Sequence, residues 1–255
     1  MPDLAATAAR ALPLLDLANL NDTCDDAAIH ELCRRAVTPH GNVAAVCVWP
    51  QFVPVARKLL KGTGVKVATV ANFPRGHGDA ESAARETAAA FADGAQDVDV
   101  VIPYRALMAG DEDAITRLVG AAREKVPRGG RLKAILETGE IADAALIAKA
   151  SRLALATGAQ FIATSTGKTA VSATLEAARI MLDAIQSSHK KTGFKASGGI
   201  RNAADAGQYL ALADDIMGLD WVSPSTFRFG ASGLLDDLIA RLNGKTRPVV
   251  TSSGY

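Results

Sequence analysis

Short apolar, β-branched runs alternate along the chain with amphipathic or alanine-rich stretches, and the cycle recurs eight times at roughly thirty residues per repeat. Strands are predicted at 14–17, 42–49, 65–71, 96–102, 131–137, 161–164, 193–197 and 226–230. Helices are predicted at 23–37, 51–61, 80–92, 111–125, 140–155, 172–184, 202–212 and 231–242, after a short one at 2–11. The second run, Val43-Ala-Ala-Val-Cys-Val48, is almost wholly apolar, as a parallel strand covered on both faces must be. Eight such units predict a (β/α)8 TIM barrel in one domain spanning 1–255, with an N-terminal helical extension over 1–12 and a mobile tail over 244–255. A doubly wound open sheet is the competing arrangement, but no GxGxxG follows the first strand. The glycine pairs fall after the seventh and eighth strands, where a barrel forms its phosphate site.

Composition narrows the function classes. Twenty-eight Lys and Arg stand against 27 Asp and Glu, with no basic block for a nucleic acid and no acidic arm. Cys24, Cys33 and Cys47 form no CxxC pair or disulfide framework, which predicts a reducing, cytoplasmic location. No Cys/His spacing suits a metal, no apolar stretch is long enough for a membrane span, and the N-terminus lacks the basic start of a signal peptide.

In a barrel the C-terminal strand ends converge on one site, so residues far apart in sequence can meet there. Here those ends offer Asp16, Cys47, Asp99, Lys133, Glu137, Lys168 and Lys195. Three lysines on or beyond consecutive strands predict mutual lowering of their pKa values, which an imine-forming amine requires. Asp97 and Asp99 share strand parity, and a carboxylate among lysines can relay protons. Gly198, Gly199, Ser232 and Gly233 offer backbone donors to an anion. The same residues also fit plainer roles: a solvated loop lysine, a structural ion pair, turn glycines and a helix cap.

Taken together, several segments resemble the deoxyribose-phosphate aldolases. They are Leu-Asp-Leu at 15–17, Ala-Val-Cys-Val-Trp-Pro at 45–50, Val-Asp-Val-Val-Ile-Pro-Tyr-Arg-Ala-Leu at 98–107, Leu-Glu-Thr-Gly-Glu at 136–140, Ser-Thr-Gly-Lys at 165–168, Gly-Phe-Lys-Ala-Ser-Gly-Gly-Ile at 193–200, and Phe-Arg-Phe-Gly-Ala-Ser at 227–232. The resemblance implies a class I aldolase, without metal or cofactor, that cleaves 2-deoxy-D-ribose 5-phosphate to D-glyceraldehyde 3-phosphate and acetaldehyde. It assigns the Schiff base to Lys168, a pKa-lowering and relay role to Lys195, and a proton relay to Asp99. Lys133 and Asp16 become further polar residues of the site, and Cys47 a pocket thiol open to trapping by aldehydes. Tyr255 would protonate the enamine carbon, and Gly198, Gly199, Ser232 and Gly233 would hold the phosphate.

The implied partners are a small phosphorylated sugar and small aldehydes, with no nucleic acid or membrane, in a homodimer. Ala18 and Gly233 depart from a threonine and a serine found in some relatives. Other barrel Schiff-base aldolases or transaldolases, a phosphosugar isomerase and an inert phosphosugar-binding barrel are the competing readings.

Overall fold

Eight parallel strands close into a barrel in the computed structural model, which describes residues 3–245. They are β1 (Leu15–Asn19), β2 (Ala45–Val48), β3 (Lys66–Ala71), β4 (Asp97–Val101), β5 (Arg131–Ile135), β6 (Phe161–Ala163), β7 (Gly193–Ser197) and β8 (Phe227–Ala231). Each pairs with the next, and β8 closes on β1 through Leu15↔Phe229 and Leu17↔Ala231. The predicted barrel is therefore the observed one. Helices pack outside it, and their apolar faces meet the outward side chains of the strands in a single continuous core.

Helix starts follow local chemistry. Asp79, Asp143, Thr174 and Asn202 each accept a backbone N–H from the first turn they precede. The helix expected from 23 begins later, as Asp26–Arg35, because Asp25 rather than Thr23 accepts the Ala28 N–H at 2.8 Å. A small antiparallel ladder, Val37–Thr38 with Gly41–Asn42, and a short helix, Tyr104–Met108, were not predicted; both are too brief for a periodicity to register. The N-terminal helix, Leu4–Ala11, buries Ala8 and Ala11 against helices Ala203–Met217 and Leu234–Leu242.

The lumen is divided by chemistry. Ala45, Cys47, Ala68 and Val70 form a small apolar cluster on the β2–β3 side. Asp16, Asp97, Asp99, Lys133, Lys195 and Arg228 occupy the rest, each 4% exposed or less. Three carboxylates and three cations balance, which is how six buried charges can be tolerated.

Candidate active site

Alternation sends every second strand residue into the lumen. Register sets Asp99 beside Lys133 and Lys195 between Ala163 and Arg228. Lys133 Nζ lies 2.8 Å from Asp99 Oδ1, 3.0 Å from Asp97 Oδ2 and 3.6 Å from Asp16 Oδ2. Lys195 Nζ lies 2.6 Å from Asp99 Oδ2 and 2.9 Å from Asp16 Oδ2. Arg228 donates Nη1–H to Asp16 and Nε–H to the Pro224 carbonyl at 2.7 Å.

Burial pushes the Asp16 carboxyl up, but Arg228, Lys195 and Lys133 outweigh it and hold Asp16 well below the carboxylate range. Asp97 is lowered in the same way, with Lys133 and Arg228 overcoming its burial. Burial likewise opposes the charge of Lys133 and Lys195, and the carboxylates overcome it, so both ammonium groups are held above the usual lysine range. Lys195 does lower Lys133, as expected, but the carboxylates around both amines outweigh that effect and reverse the net direction.

Above the cluster opens a cavity of about 260 Å³ at the C-terminal ends of the strands. Asp99, Lys195 and Cys47 lie at its floor, Val70 and Ile135 on its walls, and Ser165 to Lys168, Gly198 and Ser232 around its mouth. Asp16 and Lys133 lie beneath the floor, reaching the cavity only through the charges they fix.

Lys168 lies beyond the sixth strand, as the sequence placed it, and lines the cavity. It lies five residues past the end of β6, in a loop, with its side chain 25% exposed and Nζ 3.4 Å from the carboxylate of exposed Asp22. It also stands 5.9 Å from the Trp49 ring centroid. Its ion pair is with Asp22, whereas those of Lys195 are with Asp16 and Asp99. The β6 residue that faces the lumen in register with Lys195 is Ala163, which carries no amine.

Glu137 explains how the Lys168 loop is held. It lies two residues past β5 in the left-handed region (φ 58°), and its carboxylate accepts the Thr166 N–H at 3.2 Å, the Thr166 hydroxyl at 2.5 Å and the Thr169 hydroxyl at 3.3 Å. Burial raises this carboxyl, and the Thr166 hydrogen bonds oppose the rise. Sequence reading placed Glu137 at a strand end but gave it no partner. It missed Arg228 altogether, although one charge between Phe227 and Phe229 on an inward position was the available signal.

The glycine turns stand as expected in part. Gly198 lines the mouth with φ +79°, and a Cβ there would come within 2.6 Å of Ser172 Oγ and 3.3 Å of Gly167 Cα. Ser232 also lines the mouth, whereas Gly199 and Gly233 stand just behind it, Gly233 as the N-cap of helix Leu234–Leu242. Cys47 lies at the floor, but burial pushes its thiol up to about 12, which keeps it protonated near neutral pH. We expect Cys47 in the folded protein to resist iodoacetamide at pH 8 and to react on unfolding; peptide mapping of both samples measures this. Tyr255 lies outside the described residues. Among those described, no group of three or more His, Cys, Asp or Glu could hold a metal ion, and no helix is long and apolar enough to cross a membrane.

Comparison with known proteins gives the geometry a context. Residues 10–233 match the model of the DeoC/LacD family aldolases. The chain is 53% identical over 249 residues to a deoxyribose-phosphate aldolase of Agrobacterium fabrum (strain C58), covering 97% of this chain and 96% of that protein. An apo-form structure from Toxoplasma gondii ME49, assigned as a deoxyribose-phosphate aldolase, superposes with a TM-score of 0.87 at 26% identity, over 95% of this chain and 98% of its own. A tetrameric deoxyribose phosphate aldolase from Aeropyrum pernix shares the fold, with a TM-score of 0.73 at 21% identity over 93% of this chain and 96% of its own.

Proposed function

The chain belongs to the DeoC/LacD family of aldolases, and we propose that it cleaves 2-deoxy-D-ribose 5-phosphate reversibly to D-glyceraldehyde 3-phosphate and acetaldehyde. The observation that carries this reading is the identity of 53% to a deoxyribose-phosphate aldolase across nearly the whole chain. The cavity supports it, having an amine and a carboxylate at its floor and an anion-accepting rim at its mouth.

In this reading the phosphate lies at the mouth, where backbone donors of Gly199, Ser232 and Gly233 meet it, while the Gly198 N–H is held by the Gly230 carbonyl at 3.0 Å and fixes the turn. Lys168, on the neighbouring loop, supplies opposite charge. The aldehyde carbon then points to the floor. A lysine amine adds to it and water leaves, giving a protonated imine that withdraws electrons from the C2–C3 bond. Loss of the C3 hydroxyl proton breaks that bond. C3 becomes the aldehyde of glyceraldehyde 3-phosphate and C2 the enamine carbon. Protonation of C2 and hydrolysis release acetaldehyde.

Asp99 faces the cavity and relays protons among hydroxyl, imine and water. Lys133 and Asp16 hold it and Lys195 in place. Tyr255 is the proposed donor to C2. Tyr255→Phe is expected to slow exchange of solvent deuterium into acetaldehyde by about 100-fold, measured by proton NMR, with substrate KM little changed. A homodimer in the cytoplasm belongs to the same proposal, and sedimentation velocity tests the dimer.

The direct test is incubation of the purified chain with 2-deoxy-D-ribose 5-phosphate while both aldehydes are followed by coupled dehydrogenases. Absence of either product overturns the reading. Gly198→Ala, whose Cβ would press on Ser172 at a φ of +79° and so displace the turn that carries the Gly199 N–H, is expected to raise KM for the phosphorylated sugar by about 10- to 100-fold, the cost of losing a hydrogen bond to a charged group. Turnover of 2-deoxyribose without phosphate should change far less, and equal losses on both sugars would argue against a phosphate at this turn.

A further inference from the structure

Within the aldolase reading, on which this inference rests, the structure assigns the imine to Lys195 on β7 rather than to Lys168. A protonated imine is a cation, so an imine formed on an ammonium that the protein already holds leaves the charge at that point unchanged; the same carboxylates make the free amine scarce, which is why a neighbouring carboxylate has to take the first proton. At the floor of the cavity that place is occupied by Lys195 Nζ, 2.6 Å from Asp99 and 2.9 Å from Asp16, both buried. An imine on Lys195 keeps its positive charge at the same point and inherits both carboxylates without rearrangement. An imine on Lys168 would face one carboxylate, that of Asp22, whose side chain is 87% exposed. Water screens such a contact, and it would contribute little to the electron sink.

Access and space agree with the charge. Lys195 lines the cavity, whereas Lys133 is fully buried below it. Gly230 leaves room for the Lys195 stem, since a Cβ there would stand 2.8 Å from Lys195 Cε. Across the β6–β7 pairing, Ala163 presents no competing amine. With the phosphate at the mouth, the far end of the sugar is the end directed at Lys195.

The resting group is an ammonium, so it first gives a proton to Asp99 Oδ2. The freed lone pair bonds to C1, and the carbonyl oxygen takes the proton from Asp99. Nζ then passes a second proton to Asp99, which returns it to the new hydroxyl. The C1–O bond breaks, and water departs with its electron pair. The net change is one ammonium and one aldehyde giving one protonated imine and one water, with Asp99 restored as the carboxylate.

Borohydride reduction of the full chain with limiting acetaldehyde, followed by peptide mapping, tests the assignment. N-ethyl lysine is expected at Lys195 ahead of every other lysine. Lys195→Arg, which keeps the charge facing Asp99 and Asp16, is expected to lose cleavage by at least ~1,000-fold. An adduct that builds up at Lys168 while Lys195 stays unmodified overturns the assignment. So does full cleavage activity in Lys195→Arg. Either result, with the wild type still cleaving the sugar, leaves the aldolase reading intact, whereas a wild type that yields no aldehyde removes both. The wild-type map needs no variant to fold.

Discussion

Asp99→Asn is expected to lower kcat for cleavage about 100- to 10,000-fold, the range for losing a positioned proton carrier. Among the described residues, Asp99 is the carboxylate that both faces the cavity and touches two lysines, through Oδ1 to Lys133 and Oδ2 to Lys195. Asparagine keeps its shape but cannot take up and return a proton. Its amide nitrogen also brings a donor to ammonium groups that need acceptors. Because the phosphate contacts lie at the mouth, KM should move much less than kcat. Steady-state kinetics separate the two, and a rise in KM with unchanged kcat would assign Asp99 to binding. Circular dichroism of the variant is part of the measurement, since the substitution also removes a buried charge.

Arg228→Ala should cost about 3–5 kcal/mol of stability, the usual penalty for breaking one side of a buried ion pair. For a chain of this size that amounts to a fall of roughly 6–20 °C in Tm. The guanidinium is 1% exposed, donates to Asp16 and stands 3.6 Å from Asp97. Its loss leaves three carboxylates against two lysines in the lumen. A second change, Asp97→Leu, removes one of the unmatched charges and should recover part of the loss. A double mutant no more stable than Arg228→Ala would place the cost in packing and not in charge.

The same cluster sets a pH window. Asp16 and Asp97 are held below their ordinary range, so the stability they contribute is complete above about pH 4 and fades as pH falls further. Lys133, Lys195 and Arg228 are held above theirs, so their contribution is complete below about pH 10 and fades as pH rises. The cluster's contribution to Tm should therefore be level between these limits. In Arg228→Ala the loss on acidification should be smaller and should end at a higher pH, because Asp16 and Asp97 lose a cation that holds them below their ordinary range.

Much of this was legible in the residues. The eightfold alternation of apolar runs and helical stretches specifies the barrel, because a parallel strand buried on both faces leaves a pattern its own side chains must obey. Strand parity sends Asp97 and Asp99 to one side, and the segment around Lys195 carries the family likeness. These are local properties: each is decided within a few residues, and the sequence displays them directly.

What the sequence left open concerns partners brought together by closure of the barrel. Arg228 and Asp16 are separated by 212 positions, and Lys195 and Asp99 by 96. Only the closed barrel shows that every lumen amine meets carboxylates, which reverses the expected direction of the lysine pKa values. Lys168 depends on such a contact as well. From its sequence it is a lysine just past a strand, but Glu137 fixes its loop and Asp22, 146 positions away, receives its amine. Charge at one point in a protein is a sum over all neighbours in space. The chain order alone therefore supplied the lysines and the fold that gathers them, and the tertiary structure decided which one stands over the buried carboxylates.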